Sequence, residues 1–479
     1  MDTVVNTLQN FINGEFVAPT GNGVLDVVNP ATEEIVAHAP ISSPADIDAA
    51  MDAAAKAFTS WKRTTPSERQ MLLLKLADAM EARNDELVEA QHRNTGQVKQ
   101  LIADEEVAAG ANQIRFFAGA ARLLEGKSAG EYMEGFTSYV RREAVGVIAQ
   151  VTPWNYPLLM AIWKIGPALA AGNTIVLKPS DTTPESTLVL AELINEIFPA
   201  GVFNVVLGDG ETGAAMVAHR TPAMVSITGS VRAGIAVATG AAAGLKRAHL
   251  ELGGKAPAIV FADADLAKTA QALAEFAFFN AGQDCTAVTR ILVQYAAKDE
   301  FLSLLKTAAE GLHTGSQDDS ENYYGPLNNV NHFAAVSKVV ESLPEYATVV
   351  TGGHRAGDKG FFYAPTVIAD VKQTDDVVQK ETFGPVITVQ TFSTEEEALT
   401  MANDVEYALA SSVWTTDHGT AMRVSRDLDF GAVWINTHII LTAEMPHGGF
   451  KQSGYGKDLS MYGVEDYTRI KHVMSALDA

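Results

Sequence analysis

Between about residue 145 and residue 252, short apolar runs alternate with segments of helix length, and this rhythm constrains the fold more than any other feature of the chain. The runs are 174–177, 203–207, 224–228 and 250–252. Strand and helix alternating at that spacing predict a parallel sheet with crossover helices, hence an α/β architecture. Sheets of this kind bind ligands at the carboxyl ends of their strands. The residues directly after each run are therefore the first candidates for chemistry.

The first third reads as helix-rich. Ser43-Pro44-Ala45-Asp46 supplies an N-cap, a proline at the first helical position and an early acid, followed by Ile47, Met51, Ala54, Phe58 and Trp61 at helical spacing. Thr65-Pro66-Ser67-Glu68 has the form of a capping box, with Leu72, Leu73, Leu76 and Met80 on the buried side of the helix it opens. Segment 131–147 reads as two β-rich pieces forming a protruding hairpin used for oligomerisation. No repeat or low-complexity segment interrupts the pattern.

A chain of 479 residues is long enough for two large lobes and a small appendage. Its 58 acidic against 35 basic side chains leave a formal charge of −23, which repels phosphate backbones and anionic lipid, so neither nucleic acid nor membrane is an expected partner. One cysteine cannot make an intrachain disulfide, which suits a reducing compartment, and cytoplasm is the expectation. No Lys or Arg precedes Lys56, so no positively charged export signal is expected, and the apolar stretches 158–163 and 233–245 fall short of the ~20 residues that span a bilayer.

Several fragments carry chemistry. The lone Cys285 follows Phe278-Phe279-Asn280-Ala281-Gly282-Gln283-Asp284. An isolated cysteine is ordinarily a small buried hydrophobe, but a polar, glycine-containing turn suits a partly exposed thiolate nucleophile instead. Glu251, in Glu251-Leu252-Gly253-Gly254-Lys255, ends a strand where a general base could sit. In Pro153-Trp154-Asn155-Tyr156-Pro157 two prolines and two aromatics fix the backbone around one amide, making Asn155 a candidate oxyanion donor. Lys178-Pro179-Ser180-Asp181 follows run 174–177 where a cofactor ribose would lie, although a surface lysine is an equal reading of that fragment alone. Gly229-Ser230-Val231-Arg232-Ala233-Gly234 joins a strand to a helix start, offering backbone N–H groups to a pyrophosphate. Neither a Cys-x-x-Cys nor a His-Glu-x-x-His arrangement occurs, so no metal is expected.

Together with Glu381-Thr382-Phe383-Gly384-Pro385 and segment 446–456, these motifs resemble the aldehyde dehydrogenase superfamily in order and spacing, from Asn29-Pro30-Ala31-Thr32 to Tyr467. The resemblance implies a Rossmann-like cofactor domain (1–124 and 145–250), an α/β catalytic domain (251–449) and a small β oligomerisation and bridging segment (125–144 and 450–479). It also implies oxidation of an aldehyde to a carboxylate through a thioester on Cys285. Asn155 and the Cys285 backbone N–H would hold the oxyanion, and Glu251 would activate the hydrolytic water. Lys178 and Glu381 would bind cofactor ribose hydroxyls, with Trp154, Ser180, Asp181, Gly229, Ser230, Gly234, Leu252 and Phe383 completing the cofactor cleft. Asp181 stands where NAD-preferring relatives usually carry Glu, a shorter carboxylate that still repels a 2′-phosphate, so NAD is favoured over NADP. The acid often credited in the family with a proton relay to Lys178 aligns with Asp458.

Within the superfamily the chain is most similar to γ-aminobutyraldehyde dehydrogenases, through segments 115–122, 282–286 and 444–449. An ammonium-bearing substrate such as 4-aminobutanal wants carboxylates and aromatic faces. Asp284, Glu106 within the acidic run Asp104-Glu105-Glu106, Tyr156 and Trp163 are the candidates, with a solvated helix face the alternative for the run. Betaine aldehyde suits the same features, whereas succinate semialdehyde would need a basic residue that is not apparent. A non-catalytic protein reusing the scaffold is the alternative of another class.

Overall fold

The computed structural model describes residues 5–316 and 319–477. The alternating segment forms five parallel strands: β1 (Val147–Val151), β2 (Thr174–Lys178), β3 (Phe203–Val205), β4 (Met224–Thr228) and β5 (Arg247–Glu251). Their spatial order is β5-β4-β1-β2-β3. The chain winds outward from β1 through β2 and β3, then crosses back to build β4 and β5 on the other side. The strand order thus reverses between β1 and β4, the crevice where such sheets take ligands. Both faces are covered, which is why the strands read as continuous apolar runs. Ile148, Ile175 and Leu177 belong to the core under the Pro157–Ala170 and Pro66–Ala82 helices, while Ala149, Val176, Val225 and Ile227 pack with Ile47 and Met51 on the opposite face.

A second sheet follows with only residues 252–255 between β5 and its first strand. Its strands β6 (Ala256–Val260), β7 (Val288–Gln294), β8 (Thr366–Ala369), β9 (Val386–Phe392), β10 (Ala410–Trp414) and β11 (Ala432–Ile435) lie parallel in the order β8-β9-β7-β6-β10-β11. The direct link makes the carboxyl edge of the first sheet meet the amino edge of the second. Chemistry is expected first after strands. In the second sheet it lies before them: Cys285 precedes β7 and Glu381 precedes β9.

Both helical caps form as expected. Ser43 and Asp46 close a capping box on the Pro44–Trp61 helix, and Thr65 and Glu68 close one on the Pro66–Ala82 helix. The expectation of a helix-rich start fails over the first 41 residues, which hold five short strands. An Asn13-Gly14 turn, with both residues at positive φ, joins Asn10–Ile12 to Glu15–Val17, the strongest short hairpin signal a sequence offers. The hairpin expected near 131–147 is Gly130–Met133 paired with Phe136–Ala144, against which Thr468–Ala476 adds a third, outer strand. Segment 450–479 is shared among sheets: Phe450–Lys451 pairs with Tyr407–Ala408, Gly454–Tyr455 pairs with β5, and only the last strand joins the hairpin.

After the Leu266–Phe278 helix the backbone turns left-handed for three residues, with φ 49° at Asn280, 58° at Ala281 and 67° at Gly282. Only glycine fits the third position, because a Cβ there would overlap the Gly384 carbonyl oxygen. Gly282→Ala is therefore expected to destabilise the protein by roughly 2–4 kcal/mol, from backbone strain and an unrelievable clash. Equilibrium urea unfolding of the two proteins checks this, and an unchanged midpoint would show the turn to be more accommodating than its geometry.

Candidate active site

The loop before β7 is tied to the loop after β1 through one amide. Asn155 Nδ2 donates to the Gln283 carbonyl at 3.0 Å, while the Asn155 carbonyl accepts from Gln97 Nε2 at 2.7 Å and Asn280 Nδ2 at 2.8 Å. Gln97 also donates to Asn280 Oδ1 at 3.0 Å, and Gln283 Oε1 accepts from the Asn328 N–H at 2.9 Å. Asn155 is thus held on both sides, with one Nδ2 hydrogen engaged and the second available to an oxyanion.

Cys285 is half-buried on the wall of a cavity of about 440 Å³ that Asn155, Tyr156, Trp163 and Asp284 also line. Burial pushes the thiol up, and Asp284, Glu381 and Glu251 push it further, while its own backbone N–H opposes them. At neutral pH the thiol needs a base to become a nucleophile.

Glu251 is buried beside that thiol and does not line its cavity. Its carboxylate occupies space that a Cβ on Gly448 would fill, and among the described residues neither oxygen has a hydrogen-bond partner. Burial, reinforced by Asp458, holds it well above the ordinary carboxylate range. Behind it lies a buried charged cluster. Asp458 contacts Lys164 Nζ at 3.4 Å and His249 Nε2 at 3.1 Å, and His249 Nδ1 lies 3.3 Å from Asp466. Burial alone would lower the His249 imidazole, but Asp458 brings it up to about 9. Asp458, which aligns with the family's relay acid and whose role the sequence leaves open, meets Lys164, from the Pro157–Ala170 helix.

Lys178 ends β2 in a different place, buried, with Nζ donating to the Pro179 carbonyl at 2.9 Å. Burial lowers its ammonium, which Asp181 and Asp209 partly restore. Ser180 Oγ bonds Asp181 at 3.2 Å. After β4 the Gly229 N–H is not free for a pyrophosphate, because it donates to the Glu251 carbonyl at 3.0 Å. Ser230 caps the Val231–Ala243 helix through the Ala233 N–H, leaving the Val231 and Arg232 amides as the open donors of that helix start. Gly234 has a packing role: a Cβ would strike the buried Leu252, so the glycine lets helix and strand approach. Across the crevice, Glu381 Oε1 accepts from the Gly254 N–H at 2.8 Å, and burial raises this carboxyl to about 7 against the pull of Gly254 and Lys255. Trp154 packs at 5.4 Å from Phe383 and 5.0 Å from His332, whose Nε2 lies 2.7 Å from the Phe383 carbonyl. His332 escaped sequence reading, since a lone histidine on an amphipathic helix carries no signal.

On the other side of Cys285, Tyr156 OH donates to Asp284 Oδ2 at 2.9 Å, and Asp284 Oδ1 accepts from the Thr286 N–H at 2.6 Å. Trp163 Nε1 donates to Gln113 at 2.7 Å, which presents its ring to the cavity. Glu106 is corrected. It is fully buried, accepting from Gln91 and from the Leu159 N–H, so it satisfies the start of the Pro157–Ala170 helix and never reaches the cavity. Burial raises it to about 8. The acid facing the cavity is its neighbour Glu105, joined by Glu275. The two neighbours sit on a widened, π-type turn over Ile102–Ala108 and point in different directions, as consecutive residues of any helix do.

The model of the aldehyde dehydrogenase family matches residues 16–473. An aldehyde dehydrogenase of Emericella nidulans is 42% identical, the alignment covering 97% of this chain and 94% of that one. A betaine aldehyde dehydrogenase of Bacillus subtilis is 40% identical over 97% of this chain and 96% of its own. Among solved structures, the NAD+ complex of an aldehyde dehydrogenase from Bacillus cereus superposes with a TM-score of 0.96 at 38% identity, covering 98% of this chain and 97% of that one. A betaine aldehyde dehydrogenase variant from Staphylococcus aureus, in complex with NAD+ and with a BME-modified cysteine, gives 0.95 at 36% identity, covering 98% and 96%. With a family match over nearly its whole length and relatives 40% and 42% identical that it spans almost completely, this chain belongs to the aldehyde dehydrogenase family.

Proposed function

We propose that this aldehyde dehydrogenase oxidises a cationic aldehyde, an ω-aminoaldehyde of the 4-aminobutanal type, to its carboxylate, with NAD as the hydride acceptor. One observation carries the substrate class. The cavity beside Cys285 is lined by Glu105, Glu275 and Asp284 and by the aromatic rings of Tyr156, Trp163 and Phe276, with no Lys or Arg among its lining residues. Such a wall attracts an ammonium and repels the distal carboxylate of succinate semialdehyde. Betaine aldehyde is the second reading, favoured by the Bacillus subtilis relative. A primary ammonium gains from carboxylate acceptors, whereas a trimethylammonium gains only from faces and field.

The chemistry follows from the residues. The Cys285 thiolate adds to the aldehyde carbon, and the oxygen that becomes negative is met by the free Nδ2 hydrogen of Asn155 and the Cys285 backbone N–H. When bound, oxidised nicotinamide supplies the acceptor for the hydride that leaves this carbon, so that Cys285 is left as a thioester. The residues of the crevice suit a dinucleotide: a buried Lys178 and an anchored Glu381 for hydroxyl groups, two open amides at a helix start, and the Trp154–Phe383 pair. Asp181 disfavours a 2′-phosphate there. Glu251 then takes a proton from water as that water attacks the thioester, releasing carboxylate and thiol. Having no hydrogen bond to break, its carboxylate can turn toward Cys285.

We also infer self-association through the outer strand Thr468–Ala476, whose free edge and exposed Ile470 and Met474 offer pairing to a second copy. The two large sheets support a division into a cofactor and a catalytic domain, with Thr468–Ala476 joining the 125–144 hairpin and residues 450–455 lying with other strands. Light scattering should give a dimer or tetramer, and a monomer would remove this inference.

Glu251→Gln should leave a burst of NADH near one equivalent per site while lowering steady turnover about 10²-fold or more. In the parent, hydrolysis should accelerate as pH rises through the raised Glu251 value, since only the ionised form accepts the proton, and the variant should lose that limb. Loss of burst and turnover together would place Glu251 elsewhere in the cycle. Asp284→Ala should raise KM for 4-aminobutanal about tenfold and leave butanal nearly unchanged. Equal effects on both aldehydes would discard recognition of the cation, and a higher kcat/KM for betaine aldehyde in the parent would select the second reading.

A further inference from the structure

On a surface remote from the cavity, seven of the chain's basic side chains converge on one cleft of about 610 Å³ that holds a single carboxylate, Glu143. This runs against a formal charge of −23. Three of the cations, Arg141, Arg469 and Lys471, share Glu143 at 3.6, 3.5 and 2.6 Å. Arg141 and Lys471 stand directly opposite each other on paired strands, a like-charge arrangement that weakens a sheet unless something neutralises it. Lys62 and Arg63 face the same cleft from the turn between two helices, and neither has a carboxylate partner. Arg142 alone is fully engaged, with Glu465 at 3.2 Å and the Glu125 carbonyl at 2.6 Å.

The floor is the more telling part. Arg69 is only 7% exposed, yet no carboxylate pairs with it. Its Nε donates to the Ala170 carbonyl at 2.8 Å and its Nη1 to the Thr64 carbonyl at 2.5 Å, both neutral acceptors. The nearest acid, Glu68, is committed to the cap of its helix through the Thr65 N–H and hydroxyl. Among the described residues no hydrogen bond engages the Arg69 Nη2 group. A guanidinium taken out of water without a counter-charge is costly unless an anion completes it.

We propose that this cleft is an anion site for a compact oxyanion, a phosphate or pyrophosphate group free or carried on a nucleotide, bound between the Arg69 fork and the Arg141–Lys471 rim. A guanidinium presents paired donors that match two phosphate oxygens, and the rim lysine adds a mobile point charge. None of the lining side chains belongs to the aldehyde cavity, so the site stands independently of the proposed reaction.

Isothermal titration at low ionic strength, with orthophosphate, pyrophosphate and ADP in separate arms, tests it on the full chain free of NAD+, which itself carries a pyrophosphate. The loss on going from parent to variant separates this cleft from the cofactor crevice. The double variant Arg141→Ser/Lys471→Ser changes only surface side chains, and Arg69→Lys keeps the charge while losing the fork. Phosphate or pyrophosphate should bind the parent and weaken about tenfold or more in the double variant, with a smaller loss in Arg69→Lys. Equal affinity for pyrophosphate and ADP would mean that the phosphates alone are read, and tighter ADP that a nucleotide is the ligand. No binding to the parent, or equal binding to parent and double variant, overturns the proposal. A variant whose solution mass falls while the parent binds no phosphate would also overturn it, assigning the cations to a contact between copies.

Discussion

The Asn155 amide joins the two halves of the site, and the rest of the geometry depends on it. One side chain after β1 grips the carbonyl of Gln283, and its own carbonyl is gripped in return by Gln97 and Asn280. These bonds are buried, where an unmade bond costs the full desolvation of its partner. They stabilise a left-handed run at Asn280, Ala281 and Gly282 that such residues rarely adopt without support. The turn places Cys285 on the wall of the cavity that Asn155 also lines.

Electrostatics divide the molecule. Around the thiol, burial and three carboxylates favour neutral forms, so Cys285, Glu251 and Glu381 are all shifted toward protonation. Such groups are poised to exchange protons near neutral pH once a cation or a base intervenes. The cluster behind Glu251 obeys the opposite logic: against burial, Lys164 and His249 hold the Asp458 carboxyl low, and Asp458 holds the His249 imidazole up. Removing any one of the three would leave an uncompensated charge indoors. The basic cleft at Arg69 is a third environment, in which positive charge is gathered without enough acid to balance it.

Much of this was legible. The strand rhythm after residue 145, the capping boxes at Ser43 and Thr65, and the hairpin feeding β1 were anticipated from local signals. Local rules also mislead. The five opening strands were passed over because their Asn13-Gly14 turn was outweighed by the helices that follow. Gly234 looked like a phosphate cradle and is a packing glycine, since a strand–glycine–helix pattern is the same whether the missing Cβ makes room for a ligand or for Leu252. Glu105 and Glu106 are indistinguishable in a charge run, and only the packing around their helix gives one to the cavity and the other to a helix start.

What the sequence determined by itself was the α/β class, the order of the elements and a set of candidate side chains for the chemistry, because each depends on periodicity and residue type over short stretches. What only the tertiary structure decided was which of those side chains meet. Asp458 finds Lys164, and Asn155 grips the Gln283 carbonyl of the Cys285 loop across 128 residues of chain because the carboxyl edge of one sheet abuts the amino edge of another. Burial, and with it every shifted proton affinity, is likewise a property of that packing: desolvation depends on what surrounds a group in space and not on its neighbours along the chain.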